Sequence, residues 1–184
     1  MKYLVADFEF TVFLNGPGKP RAFFPEVIEA AWAIFEDAQE HSPYQTYVKP
    51  QFFPKLTTDC YNITLIEQAD VDTGISYSEL LEKIAKVYAP GQMKFVCWGD
   101  SDQLVLTEAC NRYKLPCPID WSDYLDLAIA YKEWTGKEKT PSLKTALEET
   151  DCKREGFDHL ALHDALHTGR VLQHMIQKGW LVEK

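Results

Sequence analysis

The sequence predicts an α/β fold in which helices pack around a mixed sheet. The first part of the chain holds three strand-like segments, at residues 2–10, 26–37 and 44–50, and the short loops between them favour an antiparallel meander. From residue 62 onward, helical and strand patterns alternate instead. A meander followed by alternating helices and strands is typical of an α/β protein with a mixed sheet.

The later elements are predicted from apolar runs, periodicity and capping signals. KFVCWG, residues 94–99, is a short continuous apolar run, as in a strand that is buried on both faces. Ser76 and Glu79 form a capping box before a helical apolar run. The predicted helices cover residues 62–72, 76–89, 101–113, 142–150 and 159–178, and residues 120–134 hold a further strand-to-helix passage that ends at Gly136.

Helical spacing also predicts which side chains of two of these helices are buried. In the helix over residues 101–113, Leu104 and Leu106 are available for packing. In the last helix the predicted inward stripe is Ala161, Ala165, Thr168, Leu172 and Ile176.

Length and composition favour a single domain that covers residues 1–184. A chain of 184 residues with 46% hydrophobic content is long enough for one well-packed core and short for two. It has no run of about 18 apolar residues, so we expect no membrane span. The N-terminal segment lacks the cleavage site of a secretory signal, and we therefore expect a cytoplasmic protein.

Net charge argues against a nucleic-acid interface, and cysteine spacing argues against disulfides and a structural zinc site. The chain has 19 basic and 28 acidic residues and a net charge of −9, which opposes a nucleic-acid partner unless divalent metals held by carboxylates make the phosphate contacts. No C-x-x-C motif is present, so free thiols are favoured over disulfides or a structural zinc site. The five cysteines are Cys60, Cys97, Cys110, Cys117 and Cys152.

The first strand carries two acidic residues on one face. Successive strand residues point to opposite faces, so Asp7 and Glu9 in YLVADFEFT share a side with Val5 and Thr11. Two neighbouring carboxylates near a core repel each other and are costly to desolvate. A bound metal ion is one explanation for their presence.

Two later acidic segments can supply partners for this pair. WGDSD, residues 98–102, follows a buried strand, where α/β sheets place their sites, although Asp100 or Asp102 could simply cap the next helix. Asp164 lies on the inward stripe of the last helix, among three histidines. Four carboxylates suit Mg²⁺ or Mn²⁺ better than zinc, and two such ions form the clamp that is used for phosphoryl transfer.

Taken in order, these motifs resemble the DEDDh family of 3′–5′ exonucleases, which share a ribonuclease-H-like fold. The resemblance is carried by DFEF at residues 7–10, WGDSD at 98–102 and HLALHD at 159–164, within a span of roughly residues 3–171. Within this family, the segment FFPEVIEAAW, residues 23–32, resembles the corresponding segment of one branch. That branch contains the sporulation inhibitor KapD and the exonucleases of histone mRNA and small interfering RNA ends. The resemblance implies a ribonuclease-H-like, five-stranded mixed sheet flanked by helices.

The resemblance also implies the ligands of two divalent ions. Asp7, Glu9 and Asp164 match the family's motifs directly. In the WGDSD segment the family's register favours Asp102, with a large apolar residue one turn later, and leaves Asp100 as the alternative.

The resemblance further implies a general base and two residues of the nucleotide pocket. Helix geometry alone favours His167 as the base, one turn after Asp164, whereas the family's spacing implies His159 as the general base. By the same resemblance, Phe10 and Thr11 line the pocket for the terminal nucleotide; ordinary core packing and sheet hydrogen bonding are their alternative.

The function that follows is a metal-dependent 3′–5′ exonuclease using two Mg²⁺ or Mn²⁺ ions. We expect it to release nucleoside monophosphates from a single-stranded nucleic acid 3′ end, RNA rather than DNA. The alternative is a catalytically silent domain of the same fold that acts as a binding or scaffolding module. The acidic net charge favours this alternative.

Overall fold

The predicted meander is present at the start of the chain. The computed structural model describes residues 1–14, 18–36, 39–152 and 160–181. Strand β1 (Lys2–Phe10) pairs antiparallel with β2 (Val27–Glu36), which pairs antiparallel with β3 (Gln39–Tyr47).

Strand β3 begins five residues before the predicted segment at 44–50, so that boundary was wrong. The strand lies at the edge of the sheet and most of it is exposed. An edge strand in water needs no apolar alternation, and its polar sequence QEHSPYQTY therefore gave little strand signal.

Two parallel strands complete the sheet on the other side of β1. Strand β4 (Met93–Cys97) pairs parallel with β1, and β5 (Tyr124–Asp126) pairs parallel with β4. The strand order is β3-β2-β1-β4-β5, so the sheet is mixed and five-stranded, as predicted. This order places β1, with its two acidic residues, in the centre.

Seven helices surround the sheet in the described residues, and none of them is both long and apolar enough to cross a membrane. Their bounds are α1 Thr58–Thr64, α2 Gln68–Asp72, α3 Tyr77–Val87, α4 Ser101–Tyr113, α5 Leu127–Thr135, α6 Leu143–Glu149 and α7 Ala161–Gln177. The predicted capping box of Ser76 and Glu79 is present at the start of α3.

The single helix predicted over residues 62–72 is instead the two short helices α1 and α2. Thr57 caps α1 by accepting a hydrogen bond from the Cys60 N–H group, so this helix begins earlier than predicted. Leu65 then adopts a left-handed conformation with φ of 59°, and Glu67 starts α2 with a capping box of its own. A left-handed residue ends a helix because it turns the chain away from the helix axis.

The two faces of the sheet carry separate apolar cores. Leu4, Ala6 and Phe8 of β1 pack in the core that includes α3 and α4, whereas Val5 packs in the core that includes α5, α6 and α7. Helix α7 lies close to the sheet at Gly169, where an added Cβ would come within 2.0 Å of the Phe35 ring. The alternation of β1 therefore turns the side of Asp7 and Glu9 toward α7.

Two packing predictions were wrong. Leu104 is 61% exposed and Ile176 is 37% exposed, while Met175 is fully buried in place of Ile176. A buried stripe drifts around a long helix because 3.6 residues make a turn, so an added step of four from Leu172 overshoots the core-facing side.

Candidate active site

Three carboxylates meet where β1 approaches the first turn of α7. Asp7, Glu9 and Asp164 each offer a carboxylate oxygen, and these oxygens lie within 4.8 Å of one another. Asp7 and Glu9 are adjacent on one face of β1, and Asp164 comes from the helix that covers this face. The two sequence segments are more than 150 residues apart in the chain and meet only in the folded protein.

Asp102, the fourth predicted ligand, lies in the first turn of α4, shortly after the end of β4. Its side chain is 5% exposed, and its charge acts on Asp7, whose pKa it helps to raise. Asp100 is exposed and makes no side-chain capping bond. Of the two aspartates in WGDSD, Asp102 is therefore the one that faces the three carboxylates, although it is not within 4.8 Å of all of them.

The carboxylates repel one another in the absence of a cation. Burial, followed by the charges of Asp102, Asp164, Glu9 and Glu29, raises the pKa of Asp7 well above its usual value. Burial, followed by the charges of Glu29, Asp164 and Asp102, raises the pKa of Glu9 to about 8. Like charges close together in a buried place favour the protonated form.

The pKa of Asp102 is also raised, to about 7. Burial is the main cause, and the Cys97 thiol and the Phe8 backbone N–H group act against it by hydrogen bonding to the carboxylate. A cluster that offers only hard oxygen ligands and carries uncompensated negative charge fits a divalent cation such as Mg²⁺ or Mn²⁺.

The predicted base, His159, lies outside the described residues, and its role stays a prediction. The alternative, His167, is described: its Nδ1 atom is 3.7 Å from Oδ1 of Asp164. The His167 side chain is only 3% exposed, so it faces Asp164 and the interior rather than water.

The two predicted pocket residues both take part in packing. Phe10 is half-buried against the core on the α3 side. Thr11 is buried, and its Oγ1 atom accepts a hydrogen bond of 2.9 Å from the Glu26 N–H group. Thr11 also lines a cavity of about 280 Å³ whose wall includes the aromatic rings of Phe23 and Phe53. Their substrate role stays a prediction.

The structure adds a buried acid that the sequence reasoning missed. Glu29 of β2 pairs with Glu9 of β1 in the sheet register and is fully buried. The available signal was the segment VIEAAW, in which a single acid interrupts an apolar strand. The same alternation that singled out Asp7 and Glu9 could have singled out Glu29.

Comparison with known proteins decides the family. The sequence model of the exonuclease family, described as RNase_T, matches residues 4–172. The chain belongs to the exonuclease family. It is thus an enzyme of the 3′–5′ exonuclease class, and its sheet and helices form the predicted ribonuclease-H-like fold.

Individual relatives agree with this assignment. The protein named probable 3′–5′ exonuclease KapD of Bacillus subtilis (strain 168) is 32% identical over 181 residues, which are 98% of this chain and 87% of KapD. Human (Homo sapiens) ERI1 exoribonuclease 2 is 29% identical over 204 residues, but the match spans only 29% of that longer protein.

Among solved structures, the nuclease domain of 3′hExo, described as a DEDDh family member bound to rAMP, superposes with a TM-score of 0.85. The superposition covers 100% of this chain and 96% of that domain at 21% identity, and it shows a shared fold. Exonucleases of the DEDDh family depend on divalent metals, which agrees with the acidic donor set.

Proposed function

We propose that this chain removes nucleoside monophosphates one at a time from the 3′ end of single-stranded nucleic acid, RNA rather than DNA, with the help of two Mg²⁺ or Mn²⁺ ions. The observation that carries the proposal is the convergence of Asp7, Glu9 and Asp164, with Asp102 buried beside them. The preference for RNA rests on relatives that are named exoribonucleases.

Each residue has a defined task in this proposal. Asp7, Glu9, Asp102 and Asp164 hold the divalent ions, which when bound supply positive charge to the scissile phosphate and its leaving oxygen. His159 takes a proton from the attacking water. A bond forms between the water oxygen and phosphorus, and the bond from phosphorus to the 3′ oxygen of the preceding nucleotide breaks. This oxygen takes up a proton and becomes the new 3′ hydroxyl of the shortened strand.

The cavity of about 280 Å³ that Thr11 helps to line is the proposed site for the terminal base. Thr11 is only two residues after Glu9 in the chain, so we expect a base placed there to leave its phosphate near the carboxylates. Aromatic walls suit a nucleobase because any base can stack on a ring face. Thr11 lines this cavity, whereas Phe10, the residue before it, packs against the core on the α3 side. We expect both residues to contact the terminal nucleotide, as the family resemblance implies.

The test is digestion of end-labelled single strands of RNA and DNA, in a series of lengths, with Mg²⁺ or Mn²⁺. The native protein should shorten the strands from the 3′ end, RNA faster than DNA. The Asp102→Asn variant should lose this activity, whereas Asp100→Asn, two residues away and exposed, should retain it. Strands that stay intact with both ions would contradict the proposal, and equal effects of the two substitutions would remove Asp102 from it.

Titration calorimetry distinguishes an active enzyme from the alternative, a catalytically silent binding module. The net charge of −9 favours that alternative, because a scaffold needs no phosphate contacts. An enzyme with this site should bind Mn²⁺ and gain thermal stability from it, since an ion that binds only the folded state stabilises that state. A protein that binds no Mn²⁺, gains no thermal stability from it and leaves the strands intact would support the alternative.

A further inference from the structure

Glu29 is a buried carboxylate whose charge acts on two of the four proposed metal ligands, Asp7 and Glu9, but its oxygens accept hydrogen bonds from other residues. It lies on β2, directly opposite Glu9, and is fully buried. One of its oxygens accepts a hydrogen bond from the Gln45 side chain of β3. The other accepts a hydrogen bond of 3.3 Å from the backbone N–H group of Ala161, the first residue of α7.

The residue in the capping position of helix α7 is Leu160, whose side chain cannot accept a hydrogen bond. Within the part of the chain that the structure describes, α7 therefore has no side-chain cap of its own at this end. The first N–H groups of a helix need acceptors, and a negative charge is favourable at that end. Glu29 supplies both from a neighbouring strand.

Ala161 and Asp164 lie in the same first turn of α7. A hydrogen bond of 3.1 Å from the Asp164 N–H group to the Leu160 carbonyl oxygen closes this turn. A helix that started elsewhere would therefore carry Asp164 away from Asp7 and Glu9. Gln45 in turn holds the Glu29 carboxylate in the orientation that reaches α7.

We propose that Glu29 is a positioning residue of the metal site: it fixes the first turn of α7 to the sheet and so places Asp164 against Asp7 and Glu9. This inference rests on the proposed function, because it concerns the same metal ligands. It assigns no contact with substrate to Glu29.

The experiment compares Glu29→Met, which removes both acceptors at similar size, with Glu29→Gln, which keeps one acceptor for Ala161 because the Gln45 amide can turn. Calorimetry with Mn²⁺ should show affinity about tenfold weaker in Glu29→Met, as for other residues that support metal ligands, and close to native in Glu29→Gln. Hydrogen–deuterium exchange without metal should show faster exchange in the first turn of α7 for Glu29→Met alone.

Glu26→Gln is the matched control. Glu26 is also a buried glutamate that accepts backbone hydrogen bonds, but its partners are Gln51, Phe52 and Phe53 rather than α7. It should lower thermal stability and leave both Mn²⁺ affinity and exchange in α7 unchanged. In a Glu29→Met background, Leu160→Ser should restore a cap to α7 and recover most of the lost affinity.

The outcomes separate the two proposals. If the native protein binds no Mn²⁺, the proposed function fails, and with it the role of Glu29 in a metal site. If the native protein binds Mn²⁺ and Glu29→Met binds it equally well with unchanged exchange in α7, only the positioning role of Glu29 is overturned. The same holds if Glu26→Gln weakens Mn²⁺ binding as much as Glu29→Met does, because general loss of stability then explains the effect.

Discussion

Two places near β2 bury carboxylates in opposite ways. Glu26, just before the strand, is surrounded by donors: the N–H groups of Gln51 and Phe53 approach its oxygens at 2.8 and 2.6 Å, and the Tyr113 hydroxyl donates to it as well. On the neighbouring strand β1, Asp7 and Glu9 face another carboxylate, that of Asp164. The first arrangement satisfies a buried charge inside the protein, and the second leaves negative charge for a cation to satisfy.

The groups that surround a buried acid indicate whether its role is structural or functional. A buried carboxylate that accepts several hydrogen bonds stabilises the loop that donates them, and its loss weakens the fold. Carboxylates that face each other cost stability unless a cation binds, so a protein keeps them for a function that needs the cation. Substitutions at the two places should therefore have opposite effects on stability and on activity.

The largest expected effect is the loss of nuclease activity in Asp7→Asn. Metal ions contribute several kcal/mol to such reactions, so the digestion rate should fall by about 10²- to 10³-fold or more. In metal-free buffer, the melting temperature of this variant should equal or exceed that of the native protein, because one of the repelling charges is gone. A variant that still digests RNA but melts at a much lower temperature would show that Asp7, like Glu26, has a structural role.

The next effect is the loss of stability in Glu26→Gln. This change removes one carboxylate oxygen and the charge from a site with four donors, which should lower the free energy of unfolding by about 1–3 kcal/mol. Urea denaturation of both proteins measures it. An unchanged midpoint would show that the hydrogen bonds to Glu26 do not stabilise the loop, and the contrast between the two places would lose its basis.

The smallest effect is on the pH dependence of stability without metal. Burial and neighbouring carboxylates raise the pKa of Glu9 to about 8 and that of Asp102 to about 7, from ordinary values of 4.5 and 3.8. A carboxyl group with a higher pKa in the folded state holds its proton more tightly when folded, so the stability that it contributes is lost as pH rises through the folded pKa. The melting temperature in a chelating buffer should therefore fall between about pH 5 and pH 8.

Mn²⁺ should reduce this fall, because the ion replaces the protons as the source of positive charge. Glu9→Gln should reduce it as well, whereas Glu82→Gln, at an exposed position on α3, should leave it unchanged. A melting temperature that rises steadily from pH 5 to pH 8 in the native protein without metal would contradict the charge repulsion between these acids.

The acidic motifs could be identified from the sequence because each one interrupts the apolar pattern of a single strand or helix. Asp7 and Glu9 stand out from an apolar strand by its two-residue alternation, and Asp164 stands out from the inward stripe of a helix. The mixed sheet was predicted from a meander followed by alternating helices and strands, and its number of strands from the family resemblance; the structure confirms both. The polar edge strand β3 and the break between α1 and α2 were misplaced, because water and local capping, rather than core burial, determine them.

Local patterns in the sequence are enough to show which acidic residues lie on the buried face of a strand or helix, since alternation and helical period depend only on neighbouring positions. The tertiary structure decided that Asp7, Glu9 and Asp164 meet, that Asp102 rather than Asp100 turns toward them, and that Glu29 reaches the uncapped end of α7. These are contacts between segments far apart in the chain. They depend on the strand order and on how closely α7 packs on the sheet, which no local pattern encodes.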